Sequence, residues 1–316
     1  MKLTSFRKAA TVTAIAALVA TGTAGCNRTP AGEADRPTVV LSLSTLNNPF
    51  FVELRDGATA EAKKQNVDLE IVDAQNDSAT QANQLATAAS TADAVILNAV
   101  DSDAAGPAAK ALNEADVPIV AVDRAVNGAD VASFVASDNV AGGEQAAKAL
   151  AEAIGEQGEV IVLQGVAGTS ASRDRGEGFT KGIAAYPNIT VVAQQTANFD
   201  RATALDVTTN LLQAHPNAVG VFAENDEMGL GAIQALGSRA GTDVKVAAFD
   251  GTEDGLKAIE AGTLSSTIAQ QPAELGALAV DQAVKAVNGG SGDEGPSDQA
   301  VEVITVTKEN VGDFTE

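Results

Sequence analysis

The 316-residue chain contains no tryptophan, one tyrosine, one histidine and one cysteine. Each scarcity removes a class of chemistry. A Ser-His-Asp or Cys-His relay would have to be built on His215, which precedes Pro216 between a predicted helix and a predicted strand, a place suited to solvation or helix capping. Metal sites made of His and Cys need more of both residues. A lone cysteine closes no intramolecular disulfide. Cations are scarce too: 20 Lys and Arg stand against 42 Asp and Glu, a formal net charge of −22 that repels phosphate backbones and argues against nucleic-acid binding. The acids read as solvated helix faces that keep the chain soluble. No G-x-x-x-x-G-K-[ST] phosphate loop occurs, and the glycines at 176–182 have the wrong spacing for a dinucleotide fingerprint. No cofactor is therefore expected.

At 45% hydrophobic and 20% charged residues, the remainder is ordinary globular protein, long enough for two domains with separate cores. The first residues differ. Lys2, Arg7 and Lys8 precede an apolar stretch at 9–20, too short to span a bilayer as a mature helix. Thr23-Ala24-Gly25-Cys26 follows and resembles the lipobox of bacterial lipoproteins. That resemblance implies acylation of Cys26, cleavage before it, and a lipid-anchored, extracytoplasmic protein. Thr23 stands where the lipobox usually carries an aliphatic residue; an ordinary secretory peptide is the alternative. Residues 27–37, with Pro30, Gly32 and Pro37, read as a tether.

Beyond the tether, short β-branched runs alternate with Ala-rich amphipathic stretches. Strands are expected at 38–42, 69–72, 94–97, 118–122, 160–163, 189–193, 218–222, 244–248 and 300–305, with helical stretches between them such as 51–65, 142–154, 202–214 and 227–236. This alternation predicts an α/β protein with parallel sheets covered on both faces. The strands are too many for one compact sheet, so two lobes are expected. The halves echo each other: Asn98 and Asp123-Arg124 follow consecutive predicted strands, as do Asn225 and Asp250. Ligands bind at that edge of open parallel sheets, although turn chemistry alone also favours Asn and Asp there.

Such a cleft has the means to hold a polyhydroxylated molecule. Asp123 and Asp250 accept hydrogen bonds, Arg124 and Arg175 donate them, and Asn48, Asn98, Asn225 and Gln270 do both. Phe50, Phe51, Phe199 and Phe249, four of nine phenylalanines, sit at strand–helix junctions, where they could cover apolar C–H faces or simply staple the chain. Asp123 with Asp250 leaves a paired-carboxylate glycosidase formally open, but hydroxyl acceptors account for both better.

Several runs carry a specific resemblance: Ser44-Thr45-Leu46-Asn47-Asn48-Pro49-Phe50-Phe51, Ala136-Ser137-Asp138-Asn139-Val140, Asn198-Phe199-Asp200-Arg201, Phe222-Ala223-Glu224-Asn225-Asp226-Glu227-Met228 and Phe249-Asp250-Gly251-Thr252. In content and order, from Thr38 onward, the chain resembles the bacterial periplasmic ribose-binding proteins of the type I periplasmic binding protein family. The resemblance implies a two-lobed fold with three hinge crossings, near Ser137/Asp138, Gln270/Gln271 and Glu302/Val303. One lobe would hold residues 38–137 plus 271–302, the other 138–270 plus 303–316. It implies a monomer without enzymatic activity that binds ribose or a related monosaccharide and hands it to the permease of an ABC importer. Presentation of the sugar to a chemoreceptor, or a different ligand such as allose or a furanosyl signal, are the alternatives. All twelve polar and aromatic residues named above carry over as sugar ligands, with Phe50 and Phe199 on the two ring faces. Glu224 departs, standing where the family has Gln. A DNA-binding relative of this fold is disfavoured by the export signal and the acidic body.

Overall fold

The computed structural model describes residues 36–289 and 297–314. Cys26, the export signal and the tether lie outside the described residues. So does most of the glycine-rich segment after residue 289.

Two six-stranded sheets form the frame. The first is built from β1 (Thr38–Leu43), β2 (Asp68–Asp73), β3 (Ala94–Leu97), β4 (Ile119–Val122), β5 (Ser133–Ser137) and β11 (Ser297–Val301), in the order β11-β5-β4-β3-β1-β2. The second uses β6 (Gly158–Gln164), β7 (Ile189–Thr196), β8 (Ala218–Ala223), β9 (Lys245–Asp250), β10 (Ser266–Ala269) and β12 (Ile304–Thr307), in the order β12-β10-β9-β8-β6-β7. Each half thus repeats one doubly wound arrangement. All pairings are parallel except that of β12 with β10.

Alternation along each strand explains the layers. In β1, Val39, Leu41 and Leu43 pack on helices α1 (Pro49–Lys64) and α9 (Pro272–Val287), through Leu54, Ala58, Leu275 and Ala279. Val40 points the other way, into a cluster with Leu85 of α2 (Ser78–Ala88) and Leu112 of α3 (Gly106–Glu114). In the second sheet, Val160, Val162, Phe222 and Phe249 meet α4 (Asn139–Ala153) and α5 (Ser170–Ile183). Ile161, Leu163, Val221 and Val246 meet α6 (Arg201–Ala214), α7 (Asp226–Leu236) and α8 (Glu253–Glu260). Sheets buried on both faces require near-continuous apolar strands. The four residues of β3 and of β4 are all buried.

Helices α4 and α5 are packed unusually close. A Cβ at Gly143 would lie 2.3 Å from the Arg175 carbonyl oxygen, and one at Gly178 would lie 2.0 Å from that of Val140. Glycine at both positions lets the helices approach closely and fixes the height of α5, so Gly178 serves packing.

The stretch at 300–305, read as one strand, is two. Val301 ends β11 in the first sheet and Ile304 begins β12 in the second, with Glu302 and Val303 between. β-propensity is continuous across the break, so composition alone does not show it. The chain passes between the sheets at two further places, through Asp138 between β5 and α4 and through Gln270-Gln271 between β10 and α9. The three passages lie side by side: the Asp138 amide donates to the Val301 carbonyl (3.0 Å), and Gln271 Nε2 donates to the Glu302 carbonyl (3.2 Å).

Candidate functional site

The carboxyl ends of β3 and β4 face those of β8 and β9, and ten of the twelve residues selected from sequence line one small cavity there: Asn48, Phe50, Phe51, Asp123, Arg124, Arg175, Phe199, Asn225, Asp250 and Gln270. Ala171 is an eleventh lining residue that sequence reasoning missed. The cavity is about 20 Å³, room for roughly one water. Anything much larger than a water therefore enters only if the walls part.

On the first wall Asp123 follows β4 with φ of 63°, outside the usual range for a non-glycine residue. Its Oδ2 accepts from Asn98 Nδ2 at 3.1 Å and lies 3.6 Å from Arg124 Nε. Arg124 Nη1 donates to the Ala99 carbonyl (2.9 Å), and its guanidinium lies 5.4 Å from the Phe51 ring centre and 5.6 Å from that of Phe199. Asn98 does not line the cavity. Its Oδ1 accepts from the Ser44 amide (3.1 Å) and its Nδ2 also reaches the Val122 carbonyl (3.2 Å), so it is a buried support for Asp123. Gln81, unselected in the sequence, holds the Asn98 carbonyl (3.0 Å) and accepts from the Val100 amide (2.8 Å).

The second wall is assembled from distant segments. Arg175 donates from Nε to Asn139 Oδ1 (2.8 Å), and from Nη1 to the Glu224 carbonyl (2.6 Å) and to Asp250 Oδ1 (3.4 Å). Phe249 also stands outside the cavity: it is fully buried, with its ring centre 3.9 Å from the Arg175 guanidinium carbon, a cation–π seat. Asp250, at φ 121°, also accepts from Gln270 Nε2 (2.7 Å). Phe199 (φ 57°) lies on the Gly165 backbone, where an added Cβ would come within 2.0 Å of its ring. Asn48 and Asn225 cap α1 and α7, accepting from the Phe50 and Met228 amides at 2.9 Å each, so these two serve helix ends as well as the cavity. His215 sits at the C-cap of α6, away from the cavity.

Burial sets the electrostatics. Desolvation pushes the Asp123 carboxyl upward against the pull of Arg124 and Arg175. Desolvation likewise holds Asp250 well above its ordinary value; Arg175 opposes this and Asp226 adds to it. Three cavity residues keep atoms with no hydrogen-bond partner among the described residues: Asp123 Oδ1, Arg124 Nε and Gln270 Oε1. Buried polar groups are rarely left so. Two acceptors and a donor on residues that share a cavity with Phe50, Phe51 and Phe199 suit a small molecule rich in hydroxyls, with apolar C–H edges.

Outside the cavity the walls also touch directly. The Ser102 amide donates to the Gly168 carbonyl (3.1 Å), the Ser170 amide to Ser102 Oγ (3.1 Å), and the Ala125 amide to Ser170 Oγ (2.8 Å).

Known proteins share this fold. Residues 39–291 match the family described as periplasmic binding protein domain. The ribose import binding protein of Salmonella typhimurium is 45% identical over 286 residues, covering 90% of this chain and 94% of that protein. That of Bacillus subtilis is 46% identical over 253 residues, covering 80% and 82%. Among solved structures, a periplasmic solute-binding protein of an ABC transporter from Actinobacillus succinogenes, with bound D-allose, superimposes with a TM-score of 0.81 at 34% identity, covering 88% of this chain and all of that one. Fold and likeness agree, and the chain belongs to the periplasmic binding protein family.

Proposed function

We infer that this protein binds D-ribose or a similar monosaccharide outside the cytoplasm and delivers it to an ABC-type importer, without chemical conversion. The observation that carries the reading is the set of buried atoms with no hydrogen-bond partner among the described residues, Asp123 Oδ1, Arg124 Nε and Gln270 Oε1, on residues that line one cavity together with Phe50, Phe51 and Phe199. The likeness to ribose import binding proteins over nine-tenths of the chain supports ribose as the ligand. The neighbour with bound D-allose makes allose the foremost competitor. Arg124, Arg175, Asp123 and Asp250 serve as charge-assisted partners of hydroxyls. The three adjacent passages between the sheets serve as the hinge, at Asp138, Gln270-Gln271 and Glu302-Val303, and the importer reads the closed form.

Titration calorimetry against ribose, allose, glucose and galactose tests this reading, since without tryptophan no indole signal reports closure. Ribose is expected to bind most tightly, because a sugar with one hydroxyl inverted leaves buried groups unpaired at about 1–3 kcal/mol each. Tight hexose binding with no ribose binding would overturn the ligand and leave the class intact. Cys26 serves as the lipid anchor, and no helix among the described residues is long and apolar enough to cross a membrane. Cys26→Ala is expected to release the protein from the membrane fraction or leave it unprocessed; correct cleavage with continued membrane association would rule the anchor out.

A further inference from the structure

Directly behind the second wall sits a carboxyl group that the cavity does not contain. Glu224 follows β8, is fully buried, and does not line the cavity. Its Oε2 accepts from the Gly165 amide (2.7 Å) and the Ser172 hydroxyl (2.5 Å). Its Oε1 has no hydrogen-bond partner among the described residues and faces Gly176, where an added Cβ would stand 3.1 Å from it.

This one residue holds two parts of the cavity wall. Through its backbone carbonyl it takes the short hydrogen bond from Arg175. Through its carboxylate it holds Gly165, the backbone on which the Phe199 ring lies. We propose that Glu224 is a protonation-dependent positioning residue of the sugar site, and that the protein binds its sugar more tightly with this carboxyl neutral than ionised. The proposal rests on the monosaccharide-binding reading above.

Two physical arguments give the sign. An ionised Glu224 sets a negative charge behind Arg175, offsetting the field with which the guanidinium attracts a hydroxyl oxygen. Closing the cleft on a sugar removes water from the same region, which disfavours the carboxylate further. Binding should therefore take up protons. The carboxyl is placed to titrate in an accessible range: desolvation raises it to about 7, against the Ser172 and Gly165 hydrogen bonds and Arg175.

The charge that acts on Glu224 is Arg175 on α5; beyond it Asp250 on β9 feels Arg175, Asp226 at the start of α7 and Asp123, with Arg124 beside Asp123. An outer groove walled by Gly165, Ser172 and Gly176 carries Arg173, Glu177 and Lys181. Burial also raises Asp226, to about 6, although hydrogen bonds from Thr267 and Thr252 oppose it. Asp226, Asp250 and His215 all remain in a Glu224→Gln variant, which therefore separates Glu224 from them.

The experiment is ribose calorimetry on the wild type and Glu224→Gln at pH 6, 7 and 8, in buffers of differing ionisation enthalpy. The wild-type Kd is expected to rise several-fold from pH 6 to 8, with net proton uptake at pH 7. Glu224→Gln should hold the tight value throughout, with no uptake attributable to this site. Measurable ribose binding with a flat wild-type Kd, or an equal pH dependence in Glu224→Gln, would overturn the proposal. Urea unfolding of both unliganded proteins provides a readout independent of sugar. A carboxyl ordinarily near 4.5 and raised when folded favours the folded state below about 4.5, and that advantage is lost as pH rises through about 7. Wild-type stability should thus fall relative to Glu224→Gln over that window. Failure of both proteins to bind any sugar, with this stability difference intact, would count against the function and not against the titration of Glu224.

Discussion

The two walls of the cleft use the same residue types in different ways. On the first wall the acid and the arginine are neighbours in sequence, Asp123 and Arg124, and each keeps an atom without a hydrogen-bond partner among the described residues. On the second, Arg175 and Asp250 are 75 residues apart, and Arg175 is committed to Asn139, Glu224, Asp250 and the Phe249 ring. The first wall is locally built with spare bonding capacity; the second is more fully pre-bonded and so more rigid, although its Gln270 Oε1 also keeps no hydrogen-bond partner among the described residues. A closing site needs both kinds of wall. Capacity meets the ligand, and preorganisation keeps that meeting from costing side-chain entropy.

Breaking the rigid wall should have the largest effect. Asp250→Ala takes from Arg175 its carboxylate partner and from Gln270 Nε2 its acceptor in a desolvated cleft, and is expected to weaken sugar binding by about 2–5 kcal/mol, roughly 30-fold or more. Calorimetry showing wild-type affinity would remove Asp250 from the site. The supports sharpen the contrast. Asn139→Ala should lower affinity and unliganded stability together, because Arg175 Nε loses its acceptor, at about 1–3 kcal/mol. Asn98→Ala should cost a similar amount of stability, since the Ser44 amide and Asp123 Oδ2 each lose a partner. Paired urea denaturation and binding curves check this; if neither support changes affinity, the walls are not held as described. The smallest effect belongs to the contacts outside the cavity. Ser102→Ala removes the acceptor of the Ser170 amide, worth about 0.5–1.5 kcal/mol, and should raise Kd by roughly threefold to tenfold through the closed state alone. An unchanged Kd with unchanged closure by small-angle scattering would show that those contacts do not bias the equilibrium.

The outline of this site was legible because its residues follow strands that announce themselves. Runs such as Ala94–Leu97 are apolar on both faces, and what ends them stands at the ligand edge. The short strands Ser133–Ser137 and Ser266–Ala269 were not seen in the sequence, since serine at their ends mimics loop composition. Asn98 and Phe249 were selected by type and position, yet both support cavity residues from behind. Gln81 carries no local signal, and Asn139 stands in a run of resemblance with nothing local to mark its role. Each acts on a residue that only the fold brings near, 36 positions away for Asn139 and Arg175, and 17 for Gln81 and Asn98. Glu224 was visible as a departure in residue type, but its burial behind Arg175 was not.

The three passages between the sheets have a mechanical consequence. None runs for more than two residues between its flanking elements, and two residues fully extended span only about 7 Å. Asp138, Glu302 and Gln271 lie abreast and are tied by hydrogen bonds, a three-ply ribbon. Under the hinge reading proposed above, such a ribbon bends more readily than it shears. A bend at that pivot would carry the lips of the cleft furthest. A single spin-label pair across those lips, on a chain with no cysteine after residue 26, would therefore follow that bend.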